Sequence, residues 1–144
     1  MFRRMLLCHD GSTLGRKALA RGSELAVLLG ARVFVLCIAP AMAQDASIVA
    51  ASVGTVCLVD PDAVYRESLA EAIELLHSAG LQAEGHLVRG DAIDVIAAAV
   101  KQLAIDLVVV GHYPKATAGR WWSGSQRAAL AERVNCSVLI AIGE

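Results

Sequence analysis

The sequence is defined first by what it does not contain. It has no run of Lys or Arg, and its formal net charge is −1. Nucleic acid and acidic membrane surfaces are bound mainly by clustered cations, so neither is an expected partner. The longest apolar run, Val33–Ala43, contains Pro40 and is well short of a membrane span, so no membrane insertion is expected. Met1–Leu7 is too short an apolar start, with Asp10 close behind, to read as a secretion signal. The four cysteines, Cys8, Cys37, Cys57 and Cys136, make no C-x-x-C pair. They are read as buried thiols of a reducing cytoplasm, not as metal ligands or a redox couple. Repeats and low-complexity linkers are also missing, so residues 1–144 are read as one domain.

What the chain has in excess is apolar surface. Hydrophobic residues make up 56% of it and charged residues 19%. A small interior cannot hold so much, and part is expected to be covered by a partner.

Strand and helix patterns alternate. Arg4–His9 is a short apolar run, followed by Asp10-Gly11-Ser12 with helix-capping chemistry. Leu14, Ala18, Gly22, Leu25 and Leu29 recur at helical spacing until Gly30. Val33–Ile38 is continuously apolar, as a strand covered on both faces must be. Ala39–Val59 has weak periodicity and reads as a mobile loop with one or two helical turns. Asp60-Pro61 predicts a helix start, Leu69, Ile73 and Leu76 its buried face, and Gly80 its end. Leu81–Val88 is a weaker strand. Gly90-Asp91 opens a helix with Ile93, Ile96, Ala97 and Val100 inward. Asp106–Val110 is a strand closed by Gly111, Gly124-Ser125 opens a helix through Val134, and Ser137–Ile142 is the last strand. The fold class is therefore α/β, a doubly wound, five-stranded parallel sheet with helices on both faces.

In such sheets ligands bind beyond the strands' carboxyl ends, where strand order reverses. With the order 3-2-1-4-5, strands 1 and 4 flank that point. Asp10 and Gly111 then face each other, and Gly124-Ser125 brings unpaired helix N–H groups to the rim. Glycine admits an anion close to the backbone, and helix N–H groups point at it. An Asp accepts from ribose hydroxyls or an adenine amino group, and the end of strand 2, Ile38-Ala39, offers backbone groups to a base. The guest that suits all of these is a nucleotide. The plainer reading is that Gly111 and Gly124 punctuate a loop and Asp10 caps a helix.

From Met5-Leu6-Leu7-Cys8-His9-Asp10-Gly11-Ser12 through Cys136-Ser137-Val138-Leu139-Ile140, the chain resembles a universal stress protein domain. Nucleotide-binding members of that family carry G-x-x-G, nine residues, then G-S or G-T. Here Gly111-His112-Tyr113-Pro114 is followed by nine residues, Lys115–Ser123, and then Gly124-Ser125. The resemblance implies the order 3-2-1-4-5, ATP binding with Mg2+ or Mn2+, and a homodimer through the C-terminal strand. By matching position it implies cofactor contacts at Asp10, Ile38, Gly111, Gly124 and Ser125. Pro114 replaces the second glycine. It has no N–H and cannot take a positive φ, so no phosphate contact comes from that amide.

Lys115, Arg120 and Arg127 lie in or beside the loop and are read as solvated or as neutralising a triphosphate. Trp121 and Trp122 pin the loop or stack on a base. His77 is placed on a helix surface. Two rival readings stand beside an ATP-binding stress-response module. One is a dimeric interaction protein of the same fold without nucleotide, which Pro114 and the apolar surplus favour. The other is a metal enzyme or hydrolase using His9, Asp10 and His112. No base for water and no phosphate-loop lysine is legible, so at most slow ATP hydrolysis is expected.

Overall fold

The computed structural model describes residues 1–11, 13–41, 62–112 and 124–142. The strands are β1 Arg4–His9, β2 Arg32–Ala39, β3 Ala83–Arg89, β4 Leu107–His112 and β5 Ser137–Ile142. The helices are α1 Thr13–Leu29, α2 Ala63–Ser78, α3 Ala92–Gln102 and α4 Gly124–Arg133. All strand pairings are parallel, in the order β3-β2-β1-β4-β5.

The central strands are apolar throughout because both their faces are covered. Met5 and Leu7 of β1, with Val33, Val35, Leu107 and Val109, pack against Ala18, Leu19 and Ala26 of α1 and Ala72 and Leu76 of α2. Leu6 and Cys8, with Phe34, Leu36, Val108 and Val110, pack against Ile96 and Val100 of α3 and Leu130 of α4. One pair of helices thus lies on each side of the sheet. Gly22 brings α1 down onto the sheet: a Cβ there would lie 2.7 Å from a methyl of Leu7.

The register of the central strands is tied at their amino ends by one carboxylate. Asp106 accepts from the backbone N–H of Arg3 at 2.8 Å and of Arg4 at 3.0 Å. Its own N–H donates to the Arg4 carbonyl at 3.0 Å, and its carbonyl accepts from Ser137 N–H at 3.3 Å. The Arg4 Nε donates to the Leu103 carbonyl at 2.7 Å.

Several boundaries differ from the sequence expectation. The second helix is described from Ala63, with Asp62 as its N-cap. Asp62 makes no side-chain cap, because its carboxylate pairs with Arg89. Asp60 and Pro61 fall outside the described residues, as does the expected loop over residues 42–59, with Cys57 in it. β3 runs two residues later than expected at its start and ends at Arg89. Asp91 caps α3 as predicted, accepting from the N–H groups of Ile93 and Asp94. The buried face of α3 is Ile96, Ala99 and Val100, with Ile93 and Ala97 only half-buried. His77 is exposed, as expected.

His9 and Ser68 are the buried polar side chains among the described residues. Burial holds the His9 imidazole below its ordinary value; the Asp10 carboxylate opposes this most, Arg16 adds to it, and Glu71 opposes it.

Two outcomes are expected from this packing. Gly22→Ala should lower unfolding stability by about 1–2 kcal/mol in urea melts, because a clash with buried Leu7 outweighs the gain in helix propensity. Stability should also fall as pH drops below about 6.5. The unfolded His9 takes up its proton near that value and the folded one only at lower pH, so the unfolded chain binds more protons in between. Above the window the contribution is complete. Urea melts between about pH 7 and 5 should show a shallower slope for His9→Gln than for the unaltered chain.

Candidate functional site

The chain runs outward from β1 to β2 to β3, then crosses back to β4. The helices that follow β1 and β4, α1 and α4, pack on opposite faces of the sheet, the topology that in such sheets sets a ligand crevice between the carboxyl ends of the two strands. The pairing Met5↔Leu107, Leu6↔Val108 and Leu7↔Val109 fixes who meets there. Carried on by two and three residues, it sets His9 beside Gly111 and Asp10 beside His112. Asp10 and Gly111 therefore belong to the ends of neighbouring strands.

Asp10 is half-buried at the end of β1. The first turn of α1 passes very close to it: a Cβ on Gly15 would lie 2.8 Å from Asp10 Oδ1 and 3.3 Å from the ring of His9. Gly15 is a site residue that sequence reasoning missed. Its only signal was a glycine in the first turn of a helix, where a better helix former would ordinarily stand. Gly11 has φ of +79° and accepts at its carbonyl from the Ser68 hydroxyl at 3.3 Å. Its N–H donates to His9 Nδ1 at 2.7 Å. That bond fixes the tautomer: Nδ1 carries the lone pair and Nε2 the proton. Neither nitrogen then has a lone pair left for a metal, which weighs against the metal-enzyme reading of His9, Asp10 and His112. Among the described residues, no three of His, Cys, Asp and Glu cluster as a metal site.

Ile38 is 2% exposed, within the core on the α3 and α4 side, and β2 continues to Ala39. Its side chain is a floor, and the rim above it is backbone. The Ala39 carbonyl accepts from Gly90 N–H at 3.1 Å. Arg89 donates to the Pro40 carbonyl and pairs with Asp62, so β3 ties the end of β2 to the start of α2.

Gly111 lies inside β4, paired with Ala141, and the strand runs on through His112. It was expected to close the strand. Pairing with β5 extends the ladder past it, and the missing side chain leaves the backbone bare at the crevice. Gly124 is the first residue of α4 and Ser125 is exposed in its first turn. That turn contains no acidic residue, so no carboxylate competes with an anion for its N–H groups. Pro114, Lys115, Arg120, Trp121 and Trp122 lie outside the described residues.

The thiols are quiet. Burial, and then Asp10, push Cys37 up to about 11. Burial also raises Cys8 and Cys136, with Cys136 adding to the first and Asp106 to the second.

A family model described as the universal stress protein family matches residues 1–141. No curated protein sequence matches the chain. Among solved structures, the chain is similar to a universal stress protein in complex with cAMP, at 23% identity and a TM-score of 0.71, over 99% of this chain and 98% of that one. It is similar to a universal stress protein from Archaeoglobus fulgidus in complex with dAMP, at 19% identity and a TM-score of 0.61, over 97% of each chain. It is also similar to a family protein from Arabidopsis thaliana with AMP bound, at 17% identity and a TM-score of 0.69, over 99% of this chain and 92% of that one. The strand order, the crevice at its reversal and the match over 1–141 agree: this chain belongs to the universal stress protein family.

Proposed function

We propose that the chain is a cytoplasmic stress-response module that binds ATP in the crevice between β1 and β4. The observation that carries this reading is the strand order β3-β2-β1-β4-β5, whose reversal lies between β1, followed by Asp10, and β4, which holds Gly111, with an acid-free first turn in the helix after β4. It is supported by relatives crystallised with cAMP, dAMP and AMP. Asp10 accepts from the ribose or the adenine amino group. The base lies over Ile38 and the backbone of Ala39. Gly111, Gly124 and Ser125 receive the phosphates. Mg2+ or Mn2+, held beside the phosphates that Gly111, Gly124 and Ser125 receive, would neutralise their charge. The residues present bind and orient. No base for water is legible in the sequence, so this reading takes turnover as slow or absent and the output as a change of conformation or assembly.

Assembly is the second element of the reading. β5 is an edge strand without charge or proline, and its Leu139, Ile140 and Ile142 are exposed. Pairing two copies through this edge buries those side chains and ends both sheets. Pro114 and this bare edge favour an alternative, a dimeric interaction protein that has lost nucleotide. Mass spectrometry of gently purified protein separates the two: co-purified adenine nucleotide supports the first, and its absence together with no calorimetric ATP binding supports the second.

Gly15→Ala should keep the fold but weaken ATP binding about 10- to 100-fold by calorimetry, as expected for loss of one hydrogen bond to a charged group. The new methyl displaces the Asp10 carboxylate, the flexible partner in the contact. Unchanged affinity would place the ribose away from Asp10. Ile140→Lys should turn a dimer into a monomer in light scattering, since it puts like charges across the paired edges. An unchanged mass would rule out β5 as the joint.

A further inference from the structure

We propose that the chain has a second small-molecule site, between α1 and α2, that takes a compact neutral molecule bearing a carbonyl-type acceptor beside an N–H donor. A pocket of about 180 Å³ lies there. It is separate from the phosphate end of the crevice, because α1 and α2 cover one face of the sheet and α4 the other. The inference therefore stands whether or not nucleotide binds.

His9 and Ser68 form the inner wall, 1% and 5% exposed. Among the described residues, His9 Nε2 has no hydrogen-bond partner, although it is buried. With Nδ1 accepting from Gly11 N–H, Nε2 must be a donor, and a buried donor left unpaired is costly. An acceptor in the pocket removes that cost. Leu19, Ala72 and Leu75 supply apolar walls. At the mouth, Arg16 and Glu71 pair across the two helices at 2.6 Å. Their charges cancel, and Asp10 adds one negative charge nearby, so an anion is disfavoured. The floor offers a cation only one hydroxyl, which disfavours that too. A neutral acceptor facing His9, with its own N–H facing Glu71, matches every group present. The same ring that would hold the ligand holds the Gly11 N–H, next to Asp10. Occupancy of the pocket is thus felt at the β1 end of the crevice.

The test uses the full chain and 2-pyrrolidone as probe, followed by NMR of the His9 ring nitrogens and the Leu19 and Leu75 methyls. Saturable shifts at these groups and at the Gly11 amide are expected, with a dissociation constant on the order of 1 mM for so small a ligand. Leu75→Trp, at the half-exposed mouth, should weaken binding at least about tenfold, and His9→Phe should do so by removing the donor while keeping a ring. Should His9→Phe not fold, Leu75→Trp decides alone. Shifts that rise linearly without saturating, shifts scattered away from the pocket, or Leu75→Trp binding like the unaltered chain would overturn the proposal. So would a His9 Nε2 proton that senses only water at saturating probe.

Discussion

The alignment of β1 against β4 is the constraint on which the site depends. It is set far from the site, at the amino ends of the strands. The Asp106 carboxylate holds the N–H groups of Arg3 and Arg4, its own N–H returns to the Arg4 carbonyl, and its carbonyl receives Ser137. Three strands are thereby indexed to one residue. Side chains in a strand alternate with a period of two, so a slip by one residue would turn Met5 and Leu7 to the wrong face. It would also carry Asp10 away from the level of Gly111 and His112. The apolar rows of the two faces enforce the same register from the side, so a polar tie and two hydrophobic faces point to one answer.

At the opposite end, β1 finishes in a residue that serves both sides of the sheet. His9 follows the parity of Met5 and Leu7, so its ring lies on the α1 and α2 side, yet it is bonded to the loop that carries Asp10. A valine in its place would fill the core without cost in hydrogen bonds. Histidine instead places inside a donor with no partner among the described residues, with its charged form suppressed by burial. Its other nitrogen accepts the Gly11 N–H and so helps fix the turn there, whose φ of +79° glycine adopts without strain. Gly15 completes the arrangement by letting α1 pass within contact of both His9 and Asp10.

Much of this was legible in the sequence, for reasons that differ by element. β1, β2 and β5 appear as apolar runs because two covered faces demand them or because an edge is kept apolar. Asp91, Gly30 and Gly80 mark helix ends by local chemistry, and the two glycines have the positive φ that favours that residue. Asp10, Gly111, Gly124 and Ser125 stand out as candidates by their positions after strands and before a helix, which is a topological signal. What was missed depends on contacts between distant residues. Asp62, at the start of α2, gives its carboxylate to Arg89, 27 residues away, and not to its own helix. Gly15 could not be recognised without knowing that α1 crosses Asp10 at contact distance. β4 runs past Gly111 because β5 pairs with it there, and no local property of the glycine says so.

The scarcity of charge explains where the remaining apolar surface goes. Several of the charged groups are engaged in ties at the rims of the sheet: Asp106 and Arg4 at one end, Arg89 and Asp62 at the other, with Arg32 and Glu84 joining β2 to β3. β3 carries Glu84, His86 and Arg89 along its length, as an unpaired edge strand ordinarily does. β5 carries none, and leaves Leu139, Ile140 and Ile142 open. Two edges of one sheet, built from the same short chain, are thus treated oppositely. A charged edge discourages pairing and a bare one does not. In the proposed dimer a β5-to-β5 joint would leave only β3 edges facing outward, so the same contrast between edges would limit assembly to two copies.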